Sequence, residues 1–67
     1  MRTRSIVTNR IYEQEGMVYI MNPLQIAKYL KYGCTLYDLF ESNDKLVGVF
    51  SRKETQPLYE KWQVHAL

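Results

Sequence analysis

The chain holds one cysteine, Cys34, and one histidine, His65, so neither an internal disulfide nor a tetrahedral metal site built from the usual ligands can staple it. Its 67 residues must fold by packing, at a length where one core rarely yields more than about 3 to 5 kcal/mol. There is room for a single domain over residues 1 to 67, and self-association is the stabilising device left open. A 46% apolar content with six tyrosines argues for a folded chain, because disordered segments are poor in aromatics. Nine Lys and Arg against seven Asp and Glu give a net charge of +2, too small to mark a nucleic-acid binder by charge alone. No apolar run approaches the roughly 20 residues of a membrane span. The opening Met-Arg-Thr-Arg also lacks a signal-peptide core. A soluble, cytoplasmic protein is expected, and one free thiol suits that reducing compartment.

The clearest local signal is Asn22-Pro23. Asparagine accepts bonds from the orphan N–H groups of a helix start, and proline at the next position has no N–H to leave unpaired. Ile26, Ala27 and Leu30 then share one face with Tyr29 beside them, while Gln25, Lys28 and Lys31 point away and Gly33 supplies a left-handed cap. A helix is predicted over residues 23 to 32. Before it, residues 5 to 12 and 17 to 21 are rich in β-branched and aromatic side chains around Glu13-Gln14-Glu15-Gly16, which predicts a hairpin with Gly16 at a positive-φ position. After it, residues 35 to 41 carry bulk on both faces, Ser42-Asn43-Asp44 is a turn cluster, and residues 46 to 50 form a second strand with Gly48 at a bulge or close approach. Ser51-Arg52-Lys53-Glu54 reads as a polar linker, with Thr55 capping a last helix whose first turn accommodates Pro57. The expected fold is α+β, ordered ββαββα, with a four-stranded largely antiparallel sheet and two helices on one face. Identity between the halves is too slight to establish a repeat.

Val18-Tyr19-Ile20, Asn22, Ala27, Tyr29-Leu30, Gly33, Leu36, Asp38-Leu39-Phe40 and Val47-Gly48-Val49-Phe50 together resemble a family of small domains from phages, prophages and their bacterial hosts. That family has a short strand, a helix of the form Ala-x-Tyr-Leu-x-x-Gly, a hairpin ending in Val-x-Val-Phe, and a final helix. The resemblance covers about residues 17 to 62 and implies a β-α-β-β-α core in a viral or mobile-element setting, with no catalytic residues. The strand expected at residues 5 to 12 is an addition to that core, able to extend the sheet or to contact a second copy. Met17 offers an internal start that would omit it.

The tyrosines Tyr12, Tyr19, Tyr32 and Tyr37 are candidates for stacking on nucleobases, with Arg10, Arg52 and Lys28 as phosphate ligands. The competing reading is that tyrosines fill a small core edge or a protomer interface, where they are enriched anyway. Asp38, flanked by Tyr37 and Leu39, must be exposed, paired or functional, and a cation partner at Lys45 or Arg52 is expected. Leu58, Trp62 and Leu67 form an apolar end suited to an interface with Trp62 at its centre. Neither Cys34 nor His65 sits in a catalytic or metal-binding pattern, so no cofactor, no metal and no enzymatic activity are expected. The expected function is binding without catalysis. Its leading form is a phage-type protein that antagonises a bacterial anti-phage defence by sequestering a nucleotide-containing signal in a homo-oligomer. The alternatives are a direct inhibitor of a host defence protein, in the manner of anti-CRISPR proteins, and a single-stranded nucleic-acid binder.

Overall fold

The computed structural model describes residues 2 to 67 and orders its elements β1 (Arg2–Arg4), β2 (Ile11–Glu13), β3 (Met17–Ile20), α1 (Pro23–Lys31), β4 (Asp38–Ser42), β5 (Lys45–Ser51) and α2 (Arg52–Gln63). The α+β class is as expected, and the strands pair antiparallel throughout, but in two sheets: β1 with β2, and a three-stranded sheet in the order β3-β5-β4. The single four-stranded sheet is therefore corrected. Residues 5 to 12 are not one strand, because the Ser5 hydroxyl accepts the N–H groups of Val7 and Thr8 and folds the segment into a turn. That turn sends Ile11 to Glu13 back against Arg2 to Arg4. The glycine expected at the next bend is in place, with Gly16 at φ +78°, yet it joins β2 to β3 across two sheets.

Helix α1 obeys its capping signals, but its faces are corrected: Gln25 and Tyr29 are buried beside Ile26, while Ala27 and Leu30 are exposed. The Asn22 Oδ1 accepts the N–H of Leu24 at 3.0 Å and of Gln25 at 3.4 Å, and Pro23 opens the helix. At the far end Gly33 has φ +91°, its N–H bonds the Leu30 carbonyl, and the Cys34 N–H bonds that of Tyr29. This is a Schellman cap, and it turns Cys34 into the core. Helix α2 ends the same way: His65 takes φ +58°, with its N–H on Trp62 and that of Ala66 on Lys61, and Leu67 folds back onto the core. The start of α2 departs from expectation. Strand β5 runs straight into it, the Arg52 N–H bonds the Gly16 carbonyl at 2.8 Å, and Thr55 sits buried in the second turn with its hydroxyl on the Ser51 and Arg52 carbonyls. Pro57 accordingly lies inside the helix.

Strand β5 is the centre of the fold. Residues directly opposite in an antiparallel pair project to the same face, so Val18, Ile20, Leu39, Gly48 and Phe50 share one face while Tyr19, Asp38, Phe40, Val47 and Val49 share the other. Both helices cover the first face, through a core of Ile26, Tyr29, Cys34 and Phe50 with Leu58 packed against it. Tyr29 and Phe50 are fully buried, their rings meeting edge-on at 5.5 Å. Tyr12 reaches the second face through its hydroxyl on Asp38, and Val47 and Val49 on that face are also buried. The strand expected over residues 35 to 41 with both faces covered is corrected: it begins at Asp38, and its Phe40 and Glu41 are exposed, so two-sided burial belongs to the centre of β5.

A Cβ at Gly48 would stand 3.2 Å from both Ile26 Cγ1 and Phe50 Cε1, two side chains already enclosed. Overpacking of this kind costs about 1 to 3 kcal/mol. Gly48→Val is therefore expected to lower the unfolding free energy by that amount, read as a lower urea midpoint at unchanged slope, and a midpoint equal to the parent's would show that α1 sits farther from the strand.

Candidate functional site

Two features concentrate polar and apolar chemistry, one on each face of the three-stranded sheet. On the hairpin side, the Asp38 carboxylate is buried. Ser5 Oγ donates to its Oδ1 at 2.6 Å, the Tyr12 hydroxyl donates to Oδ2 at 2.7 Å, and the Leu39 N–H donates to Oδ1 at 2.8 Å. The Tyr37 N–H bonds the carbonyl of Val49, the residue that Asp38 pairs with, so two successive residues oppose one. Such a bulge re-aims a side chain. The expected cation partner is corrected: Lys45 pairs with Ser42 at the other end of the hairpin, Arg52 lies in the groove described below, and neutral donors hold the carboxylate instead.

Burial pushes the Asp38 carboxyl up, but the bonds from Ser5, Tyr12 and the Leu39 N–H outweigh it, and the pKa falls below its ordinary value. Tyr12 moves the other way. Burial first, then its hydrogen bond to Asp38 and the nearby negative charge, push the phenol to about 12. The cluster also anchors the loop, since Thr8 Oγ1 donates to the Tyr37 carbonyl at 2.7 Å and Arg10 Nη1 to the Leu36 carbonyl at 3.0 Å. Tyr12 and Tyr37 pack edge to face, 6.5 Å apart.

On the helix side lies a groove of about 400 Å³. Val18 and Ile20 of β3 form its floor, Tyr29 of α1 one wall, and Arg52, Thr55, Gln56 and Tyr59 of α2 the other. The last four recur at the i, i+3, i+4, i+7 spacing that puts residues on one helical stripe. Two wall groups are already satisfied: Gln25 Nε2 donates to the Tyr29 hydroxyl at 2.9 Å, and Thr55 bonds its own helix. Arg52 is exposed, and among the described residues no carboxylate pairs with its guanidinium. The groove is thus an apolar slot with one cation at its rim.

The residues expected to bind ligand are distributed over the molecule. Arg10, Tyr12 and Tyr37 gather around Asp38 and are engaged in holding the hairpin. Tyr19 lies on the outer sheet face, edge-on to Phe40 at 6.4 Å, Lys28 is half-buried in the last turn of α1, and Tyr32 caps that helix with its ring exposed. Arg52 alone stands in the groove. Leu58 and Leu67 pack on their own chain's core, and Trp62 is half-buried near the end of α2. Reading residues 51 to 54 as a linker hid the stripe of Arg52, Thr55, Gln56 and Tyr59, which a helix begun at Arg52 would have displayed. Cys34 is buried, and burial, then the charge of Glu54, raise its thiol pKa, so the protonated form prevails at neutral pH. Among the described residues, no helix is long and apolar enough to cross a membrane, and no three His, Cys, Asp or Glu side chains gather as a metal site requires. Compared with protein-family models, curated proteins and solved structures, the chain matches none.

The Asp38 cluster makes a pH-dependent contribution to stability. A carboxyl whose folded pKa is depressed adds stability that is present above its unfolded value of about 3.9 and is lost as pH falls through the folded pKa. A phenol raised from 10.0 to about 12 adds stability that is complete below pH 10 and lost as pH rises toward 12. Urea midpoints measured against pH should fall at both ends, Tyr12→Phe should flatten the alkaline limb, and Asp38→Asn should flatten the acid one. At neutral pH Asp38→Ala is expected to cost about 2 to 4 kcal/mol, because it strands buried donors. An Asp38→Ala protein as stable as the parent would remove the cluster from this role.

Proposed function

We propose that this protein is a non-enzymatic binding protein that seats a small nucleotide-containing molecule in the groove between α1, α2 and β3. The observation that carries the reading is the pairing of an apolar slot of about 400 Å³ with an unpaired guanidinium, Arg52, at its rim. Small-ligand sites have volumes of about 300 to 1,000 Å³, mostly apolar with a few orienting polar groups. Tyr59 supplies a ring for a nucleobase, whose stacking contributes about 1 to 3 kcal/mol, and Arg52 supplies the planar fork that phosphate favours. In the viral setting implied by the resemblance of residues 17 to 62 to phage and prophage domains, the biological role is to sequester a nucleotide signal of a bacterial anti-phage defence. For a single-stranded nucleic acid the outer sheet face offers only Tyr19 and Phe40, tilted 66° to each other, so the groove is the better supported site.

Thermal unfolding in the presence of a panel of mononucleotides, dinucleotides and cyclic dinucleotides tests this. A hundredfold excess over Kd adds about 2.7 kcal/mol to the folded state, which in a domain of this size raises Tm by about 10 °C or more. Arg52→Ala is expected to weaken binding by about ten- to a hundredfold through loss of a charged hydrogen bond. Arg10→Ala, on the other side of the sheet, should leave it unchanged. A panel with no stabilising member, or full affinity in Arg52→Ala, would remove the groove as a nucleotide site.

A further inference from the structure

We infer that the free edge of β3 pairs antiparallel with β3 of a second copy of this chain, joining the two grooves across a twofold axis. The bond from the Arg52 N–H to the Gly16 carbonyl marks residues 16 and 52 as a hydrogen-bonded pair. Such pairs alternate along an antiparallel ladder, so Val18 with Phe50 and Ile20 with Gly48 face inward to β5. The N–H and C=O of Tyr19 therefore point outward, and among the described residues no loop, turn or side chain bonds to them. Edge strands are ordinarily guarded against pairing by charges, proline, bulges or a covering segment. Every other edge here has such a guard. β1 carries Arg2 and Arg4, β2 carries Glu13, and β4 carries the bulge at Asp38 and Glu41, with Thr8 and Arg10 bonded to the carbonyls that lead into it. By contrast, residues 17 to 21 read Met-Val-Tyr-Ile-Met, without a charge or a proline, and among the described residues only the Met17 N–H of the outward groups is engaged, by the Gln14 carbonyl at 3.4 Å.

The occupant is a second copy because this sequence is its own complement. With Tyr19 opposite Tyr19 of the partner subunit, Met17 meets Met21 and Val18 meets Ile20, so every cross-strand pair is apolar. The resulting contact is isologous and closes as a dimer. Val18 and Ile20 also floor the groove, so pairing places Ile20 of the partner subunit beside Val18 and extends each floor into the other. The dimer stands on the strand alone. That a ligand spans both grooves rests on the reading of the groove given above.

Light scattering after size exclusion, over micromolar to millimolar protein, should give twice the 8.0 kDa chain mass. Tyr19→Lys places like charges opposite each other on a half-exposed position and should give the single mass with an unchanged circular dichroism spectrum. Tyr19→Cys should form a disulfide-linked dimer on air oxidation, whereas Leu46→Cys, equally exposed but on β5, should not. A parent protein of single mass at all concentrations, a dimeric Tyr19→Lys, or equal cross-linking at both cysteine positions would each overturn the pairing. A single-mass protein that nucleotides still stabilise overturns the dimer and leaves the groove reading intact. A dimer that no nucleotide stabilises supports the pairing and removes the shared ligand.

Discussion

The fold depends on a carboxylate held without a cation. Asp38 is buried at the first residue of β4, and its charge is balanced by two hydroxyls and a backbone N–H. An unpaired buried carboxylate would be costly, whereas one that accepts three bonds stays ionised and fixes the groups that donate to it. Ser5 directly follows β1 and Tyr12 is the middle residue of β2, so one side chain clamps both arms of the hairpin. The bonds of Thr8 and Arg10 to the Tyr37 and Leu36 carbonyls add to this clamp. The Arg2–Glu13 pair at 3.3 Å is exposed on both sides and contributes little, and Ile6 at the turn tip is 99% exposed. Release of Asp38 would uncover Val47 and Val49 and leave the sheet with one covered face.

The other face is organised by close approach. Gly48 lets Ile26 of α1 sit against the central strand, and the space beside it is filled by Tyr29 and Phe50. Both helices finish in Schellman caps that return an apolar residue to this core, Cys34 after α1 and Leu67 after α2. In so short a chain, each helix end thereby adds a core residue that a frayed terminus would leave in water. The same packing leaves the groove, lined by Tyr29 of α1 and Tyr59 of α2 with Val18 and Ile20 of β3.

What could be read from the residues was local. The start of α1 at Asn22-Pro23, its end at Gly33 and the strand pair around Asn43-Asp44 each depend on interactions within a few positions, and the structure reproduces them. The hairpin of β1 and β2 was not legible, because the Ser5 turn is completed by Asp38, 33 residues away, and periodicity carries no record of that partner. Tyr12 looked like a ligand-stacking residue because nothing nearby in the chain shows that its hydroxyl is already committed. The start of α2 was hidden for a different reason. Ser51 makes no side-chain cap bond, and the orphan N–H of Arg52 is satisfied by Gly16 from another strand, so the usual start signal is absent. Thr55 mimics a cap in sequence while acting as a buried second-turn residue.

That hidden helix start ties the two candidate functional features together. The bond from the Arg52 N–H to the Gly16 carbonyl begins α2, sets the hydrogen-bonding phase of β3 against β5, and places the Arg52 side chain at the groove rim. Shifting β3 by one residue would turn Val18 and Ile20 away from the helices and direct Tyr19 inward, because side chains alternate with period two. The apolar floor of the groove and the outward edge of Tyr19 are thus two consequences of one register. An edge strand of four uncharged residues is a hazard for a monomer, and a core of this size gains from any surface it can cover. The pairing proposed at β3 would answer both conditions through Val18 and Ile20, the residues that line the groove, and would thereby couple assembly to the proposed ligand site.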